Sequence, residues 1–254
     1  MNISNRIHLE QEYHESEDFL RDENSLIVAV YASGVFDKAN THFMSALGNI
    51  HGMRVLDYGC GTGEVTQQLR QRGALVTGFD ISETRLVDAK KRLSIDIDNP
   101  SANFTVAAAE VLPFVDNSFD AVFGKQILHH LELSIAIPEI VRVLRPGGRA
   151  VFLEPLIHNP LLETYRRLTP QLRSPTEKAL SMYDLQMIGE HFSKWTHKEF
   201  CFLSVLPVLL EALFARKISL TSVRLWLERI DQNLVKKLPF IGRYYWETIM
   251  VLEK

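Results

Sequence analysis

The sequence predicts an α/β fold with a mostly parallel sheet, and three observations support this. From about residue 53, short apolar runs alternate with amphipathic segments, which is typical of βαβ units. A glycine-rich loop at 59–63 follows the first apolar run, and Asp80 ends the second. In such folds ligands bind at the carboxyl ends of the strands, so both features should lie at one crevice.

The elements can be assigned in order along the chain. Apolar runs predict strands at 54–57, 74–79, 104–107, 119–123, 149–153, 198–205 and 247–253. Helical spacing of apolar residues predicts helices after 63, after Ser82, over 137–144, near 184–192 and over 208–238. Ser82 has the type and position of an N-cap, and the Arg-Pro-Gly-Gly run at 145–148 predicts a helix end.

Composition limits the classes of function. The 254 residues carry a net charge of −3 and no basic patch, so we expect no nucleic-acid partner. Cys60 and Cys201 cannot form a disulfide framework, and the polar, acidic N-terminus has no secretory signal, which together favour a cytoplasmic protein. The most apolar stretch, 200–215, is shorter than the ~20 residues of a membrane span.

The glycine loop indicates the kind of ligand. Glycines allow a tight turn and close backbone approach, but the pattern is GxGxG and not the GxGxxG that binds a dinucleotide pyrophosphate. Asp57, beside Gly59 and Gly61, would repel a diphosphate and suits a cationic ammonium group. Asp80 ends the next strand, where an acid can accept hydrogen bonds from both ribose hydroxyls.

Four blocks with these features resemble a known family. They are VLDYGCGTGE at 55–64, GFDIS at 78–82, AEVLPFVDNSFDAV at 109–122 and VLRPGGRAVFLEP at 143–155, and QILHHLE at 126–132 also matches. The chain resembles the class I S-adenosylmethionine-dependent methyltransferases, in the ubiquinone/menaquinone-biosynthesis subgroup. The resemblance implies a Rossmann-like seven-stranded sheet, order 3-2-1-4-5-7-6 with strand 7 antiparallel, helices on both faces and a helical cap. It also implies S-adenosylmethionine as cofactor, with S-adenosylhomocysteine as product.

The resemblance assigns cofactor contacts residue by residue. The methionine part would pack on Gly59, Cys60 and Gly61, with Asp57, Lys125 and Gln126 nearby, the ribose would bind Asp80, and the adenine would lie against Ile81, Ala109 and Glu110. Ala108 departs from the family, which often has an acid there, so a side-chain acceptor for the adenine amino group is missing. An acidic N-terminal helix with Tyr13 and His14 would fold over the cofactor.

Catalytic and substrate-binding candidates follow the fourth and fifth strands. His129 and His130 are the candidates for a general base, with Glu154 as a further catalytic or substrate-binding group. Adjacent histidines on a helix point ~100° apart and do not form the i, i+4 metal pair, so we expect no metal. The segment after strand five should line the acceptor pocket, with His158, Asn159, Tyr165 and Arg173 as substrate contacts.

These assignments predict one methyltransferase domain over 1–254. Its core would be 50–155, 185–205 and 245–254, and its cap 1–45, 156–184 and 206–242. The expected reaction is in-line methyl transfer to a small hydrophobic or amphipathic acceptor. A nicotinamide-dependent oxidoreductase and an inactive cofactor-binding scaffold are the alternatives; the GxGxG spacing opposes the first and the retained Asp57 and Asp80 the second. The apolar stripe 223–238 is expected to pack in the core, while a pocket cover, a dimer and a peripheral membrane contact stay open.

Overall fold

A seven-stranded sheet organises the computed structural model, which describes residues 2–15, 30, 32–94, 102–168, 174, 176–213 and 219–254. The strands are β1 (Arg54–Tyr58), β2 (Leu75–Asp80), β3 (Ala102–Val106), β4 (Phe119–Lys125), β5 (Leu144–Pro155), β6 (Lys194–Phe200) and β7 (Glu247–Glu253). Their order is β3-β2-β1-β4-β5-β7-β6. β7 pairs antiparallel with both neighbours, and the other pairs are parallel. The predicted fold class and strand order are confirmed.

Helices cover both faces of this sheet. In the described part of the chain they are α1 (Ile3–Glu15), α2 (Asp37–Ser45), α3 (Glu64–Gln71), α4 (Glu83–Ser94), α5 (Leu133–Val143), α6 (Pro160–Leu168), α7 (Met182–Gly189), α8 (Leu206–Leu213) and α9 (Thr221–Lys237). Short 3-10 turns lie at Leu128–His130, Leu203–Val205 and Pro239–Tyr244. The Ser82 hydroxyl accepts from the backbone N–H of Arg85 at 3.2 Å, as expected of the N-cap of α4.

Each sheet face has its own apolar core. On one face Phe43 of α2 stacks on Phe123 with ring centroids 3.9 Å apart. On the other, Tyr58 packs edge-on against Phe79 and Phe152, at centroid distances of 4.9 and 5.8 Å. Because both faces are covered, the central strands are nearly continuous apolar runs. In the described residues, no helix combines the length and apolar character that a bilayer crossing requires.

Several predicted boundaries differ from the structure, and local contacts explain two of these differences. The sixth strand was expected at 198–205 but lies at Lys194–Phe200, since Cys201 adopts a left-handed φ of 65° and the chain turns away from the sheet. The Asp231 carboxylate then accepts from the N–H groups of 202–204 and stabilises the turn that follows. The helix expected through Leu144 ends at Val143, because Leu144 is already extended and pairs with Phe119 at a β-bulge.

The apolar stripe expected to pack in the core faces outward instead. On α9, Val223 and Trp226 are 44% and 59% exposed, while Glu228 and Asp231 are buried. Helix α9 docks through its polar side, because Asp231 caps the 202–204 turn and Arg224 donates to the Gly34 carbonyl at 3.1 Å. Helical periodicity indicates an apolar face but does not say which side of a helix meets the protein.

Candidate cofactor and acceptor site

The glycine loop joins β1 to α3 and is tied to the end of β2. Gly59 has a φ of 71°, and a Cβ there would lie 2.8 Å from the Ile127 side chain, so the position requires glycine on both counts. The N–H of Gly61 donates to Asp80 Oδ2 at 2.8 Å, and that of Cys60 donates to the Phe79 carbonyl at 2.8 Å. The ends of β1 and β2 therefore form one rigid edge.

Asp57 is a buried carboxylate at this edge. It is 2% exposed and accepts a hydrogen bond from the Thr66 hydroxyl of α3. Burial raises its pKa to about 7, although Thr66 lowers it, and the charge of Asp80 raises it further. A buried acid in this state is stabilised by a cation, and an amino acid ammonium is of the right type.

Asp80 lies at the carboxyl end of β2 and is oriented by the backbone. Its Oδ1 accepts from the N–H of Ser82 at 3.0 Å, while Oδ2 holds Gly61. A carboxylate has about four lone-pair sites, so both oxygens can still accept ligand hydroxyls. Asp80 lines a small cavity together with four other predicted cofactor contacts: Gly59, Ile81, Ala109 and Glu110.

The remaining predicted cofactor residues lie beside this cavity on the same loop and strand ends. Asp57 precedes the loop, Cys60 and Gly61 form it, and Lys125 and Gln126 end β4. Cys60 is 7% exposed, and burial raises the pKa of its thiol far above the ordinary value. It is therefore a protonated packing residue and not a nucleophile.

A residue of β1 supports the part of the cavity where the adenine is predicted to lie. The Tyr58 hydroxyl, which is fully buried, donates to the Ala109 carbonyl at 2.8 Å. Burial raises the pKa of Glu110, whose carboxylate accepts weakly from the N–H of Glu132 at 3.3 Å. Glu110 thus provides a polar side chain in the cavity wall. It could accept the hydrogen bond from the adenine amino group that the side chain of Ala108 cannot accept.

Glu154 organises the turn after β4. This fully buried carboxylate accepts from the N–H groups of Ile127 and Leu128, both at 2.9 Å, and lies 2.7 Å from Nδ1 of His129. Its oxygens are satisfied by the protein, so the geometry favours a positioning role over contact with a substrate. A carboxylate beside Nδ1 places the ring proton there and leaves the Nε2 lone pair free for a base. Burial and the nearby His130 lower the pKa of His129, so the ring is neutral at neutral pH.

Sequence analysis did not identify Glu247, a buried acid at the predicted acceptor side of the sheet edge. Gln126 has a left-handed φ of 55° and donates from Nε2 to Glu247 Oε1 at 3.2 Å. Glu247 starts β7 and is 1% exposed, and its Oε2 is buried without a hydrogen-bond partner. Burial raises its pKa to about 8, although Lys125 lowers it. In the sequence, the available signal was an acidic residue, Glu247, at the start of an apolar strand. Only the strand order of the sheet shows that Glu247 meets Gln126.

The structure describes the side chains of two predicted substrate residues after β5, His158 and Asn159. Asn159 caps α6: its Oδ1 accepts from the N–H groups of Leu161 and Leu162, both at 3.0 Å, and Nδ2 donates to the Tyr244 carbonyl at 2.9 Å. These contacts and its 1% exposure favour a capping role for Asn159 over the predicted substrate contact. His158 is exposed beside it, whereas the Tyr165 side chain and Arg173 lie outside the described residues.

Helix α1 lies across the cavity that Asp80 lines. Ile7, Glu10 and His14 of this helix line the cavity together with His130 and Leu131. The Glu15 carboxylate at the end of α1 accepts from the N–H of Glu83 at 2.8 Å and from the Thr84 hydroxyl, both at the start of α4. The acidic N-terminal helix therefore lies over the predicted adenosine contacts.

Comparison with known proteins agrees with this geometry. The model of the methyltransferase domain family matches residues 56–152, which run from β1 into β5. Over this region the chain is similar to the methyltransferase domain family. A demethylmenaquinone methyltransferase of Chlorobaculum parvum is 32% identical over 139 residues, 52% of this chain and 55% of that protein. O-methyltransferase cnsE of Penicillium expansum is 33% identical over 144 residues, 54% and 52% of the two chains. The match thus spans about half the length of these curated relatives.

Solved structures share the fold over more of the chain. Phosphoethanolamine N-methyltransferase 2 of Haemonchus contortus, crystallised with S-adenosylmethionine, superposes with a TM-score of 0.63 at 21% identity, covering 93% of this chain and 59% of that one. At this identity the likeness concerns the fold alone. Fold does not fix the substrate, so the acceptor must be inferred from the site itself.

Proposed function

We propose that this chain transfers the methyl group of S-adenosylmethionine to a small hydrophobic or amphipathic molecule. The observation that carries the proposal is the pair of buried acids at adjacent strand ends, joined by a glycine loop that hydrogen-bonds to the second acid. Asp57 suits the ammonium group of the methionine moiety and Asp80 the ribose hydroxyls. The matched family model, which spans this region, supports the same ligand.

The protein's own groups would act mainly by binding and alignment. The bound cofactor supplies an activated methyl on a sulfonium, whose S–C bond breaks as the acceptor's new bond forms. The glycine loop and the two acids would hold the donor while the ends of β4, β5 and β7 present the acceptor. Such positioning accounts for a large part of the barrier reduction in bimolecular transfers.

Proton removal, where the acceptor needs it, would fall to the pair of Glu154 and His129. Glu154 orients the neutral ring through Nδ1 at 2.7 Å, which leaves Nε2 as the basic atom. His130, the other predicted base, faces α1 instead, with its Nδ1 3.2 Å from Glu10. His129 is thus the better candidate of the two.

The acceptor would bind where β4 and β7 meet. Glu247 presents a buried oxygen there without a partner, and Gln126 is held beside it in a left-handed conformation. Residues in sparsely populated backbone regions cluster at functional sites. Relatives named for a quinone and for O-methylation support a protic, amphipathic acceptor for this chain.

The proposal also includes the domain organisation of the chain and its location in the cell. We place the whole chain in one methyltransferase domain, in the cytoplasm. Two free, buried cysteines are consistent with a reducing compartment. A dimer contact or a peripheral membrane contact would use the exposed apolar side of α9.

Calorimetry and a transfer assay test the proposal. The full chain is titrated with S-adenosylmethionine, S-adenosylhomocysteine and NAD⁺, and is then incubated with methyl-labelled cofactor and a panel of quinols, phenols and phospho-bases. We expect binding of the first two ligands only, and label in a small molecule. Binding of NAD⁺ alone would favour the oxidoreductase alternative. Cofactor binding without transfer to any panel member or cell extract would favour the scaffold.

A further inference from the structure

Three potential metal ligands converge where α1 crosses the turn Leu128–His130. Glu10 and His14 lie one helical turn apart on α1, and His130 comes from the turn. Glu10 Oε2 is 3.4 Å from Nε2 of His14 and 3.2 Å from Nδ1 of His130. One ligand atom from each residue lies within 4.8 Å of the other two. Metal–ligand bonds of about 2.0–2.2 Å around one ion give separations of this size between neighbouring ligand atoms.

The carboxylate oxygen at the centre of this cluster has no other use. Glu10 is 5% exposed, and its Oε2 is buried against the two imidazoles without a hydrogen-bond partner among the described residues. Oε1, in contrast, accepts from the Ser174 hydroxyl at 2.6 Å and from the Thr176 hydroxyl. These hydroxyls fix the carboxylate as outer-shell partners fix a ligating carboxylate. A buried anionic oxygen left in this way is costly unless a cation approaches it.

The nearby basic side chain is engaged elsewhere, which leaves the Glu10 carboxylate oxygen available to a cation. The nearby cation on α1, Arg6, donates to the backbone carbonyls of His130 and Thr176, at 2.6 and 3.3 Å. In the described part of the chain, the ionisable groups within 4 Å of Glu10 Oε2 are the two imidazoles, and histidine binds a metal in its neutral form.

We propose that Glu10, His14 and His130 bind one divalent transition-metal ion that fixes α1 over the cofactor cavity. Two imidazoles and a carboxylate form a ligand set suited to zinc and to other late divalent ions, and they leave at least one coordination position for water. All three residues line the same cavity as Asp80 and Glu110. The sequence argument against a metal excluded only the adjacent pair His129–His130, and it could not show that His130 meets α1.

The test uses the metal alone, so its outcome does not depend on methyl transfer. The full chain is stripped with a chelator and titrated with Zn²⁺ by calorimetry, and with Co²⁺ by visible absorption. We expect one equivalent of either ion, with cobalt bands of a protein-ligated site. His14→Ala and His130→Ala should each weaken binding by at least the roughly 10- to 100-fold that loss of an outer-shell partner costs, since each removes a direct ligand.

The same helix offers a matched control. His8 and Glu12 form another i, i+4 pair at 3.2 Å, but their side chains are 68% and 62% exposed. His8→Ala should bind Zn²⁺ as the wild type does. Equal loss in His8→Ala, or wild-type affinity in His14→Ala and His130→Ala, would overturn the proposal and leave a hydrogen-bonded helix contact only.

A second measurement uses only the wild-type protein, so its outcome does not depend on whether a variant folds. Hydrogen exchange of the wild-type amides in 3–15 is compared in the stripped protein with and without Zn²⁺. We expect slower exchange there with the metal and unchanged exchange in α5. Unchanged exchange in α1 at saturating Zn²⁺ would show that the ion does not fix this helix and would refute the site.

Discussion

Replacing Glu154 by glutamine should change the protonation of His129 more than the fold. The amide oxygen can keep the N–H groups of Ile127 and Leu128, both now at 2.9 Å, while its NH₂ group replaces the oxygen 2.7 Å from His129 Nδ1. The ring must then accept at Nδ1 and carry its proton on Nε2, the atom proposed as the base. A wrong-tautomer change of this kind costs roughly 10⁴-fold in turnover in a serine protease triad.

The stability cost can be worked out from the same contacts. Hydrogen bonds to a charged group contribute about 1.5–3 kcal/mol and neutral ones about 0.5–1.5 kcal/mol, so weakening the two bonds from the N–H groups of Ile127 and Leu128 should cost about 2–3 kcal/mol. At this chain length, that lowers Tm by roughly 4–12 °C. Glu154→Ala should cost more, about 3–5 kcal/mol, because it leaves buried donors without an acceptor.

Nitrogen-15 NMR of the histidine rings reads the tautomer, and thermal unfolding reads the cost. The control is Glu163→Gln, which changes a pair with Arg167 whose side chains are 37% and 77% exposed, and should shift stability by less than about 0.5 kcal/mol. If Glu154→Gln unfolds at the wild-type temperature and keeps the proton on Nδ1, Glu154 does not position His129 and the proposed base must be abandoned.

Three further predictions concern the other buried acids. Asp80→Ala should weaken S-adenosylhomocysteine binding by about 10- to 100-fold in calorimetry, through loss of charge-assisted hydrogen bonds, and an unchanged affinity would remove the ribose assignment. Asp57 has a folded pKa of about 7 against 3.8 ordinarily, so the folded state keeps a proton that the unfolded chain loses, and stability should fall as pH rises through that window. Asp57→Asn should lack this fall in urea titrations from pH 4 to 8; a parallel fall in the variant would show that another group causes it. Glu247 has a folded pKa of about 8 against 4.5 ordinarily, so Glu247→Gln should gain stability over the wild type as pH rises toward 9, and a difference constant with pH would contradict its burial as an acid.

Sequence analysis could predict a cofactor side for the site because the chemistry of the residues concerned is local. Asp57, Gly59 and Gly61 lie within five residues of one strand end, and Asp80 ends the next strand. Adjacent parallel strands bring such ends together without any detail of packing. The hydrogen bond from Gly61 to Asp80 is the structural consequence.

The acceptor side was predicted less well because its residues are distant in sequence. Glu247 meets Gln126 only because β7 inserts between β5 and β6 and begins at the ligand edge. An asparagine side chain can bind a ligand, but Asn159 lies directly before α6 and its side chain caps that helix. A side chain's type shows what it can bond to, while its neighbours decide whether that capacity is already used.

The sequence by itself determined the alternation of strands and helices, the glycine loop and the two acids, since these depend on contacts between near neighbours and on backbone conformation. The family blocks added the strand order, which the structure confirms. Only the tertiary structure decided that Glu154 supports His129, that α9 turns its apolar stripe outward, and that Glu10 and His14 meet His130. Each of these depends on which surfaces of distant segments pack together, and that choice is made by the burial and hydrogen bonding of the whole chain and not by any local pattern.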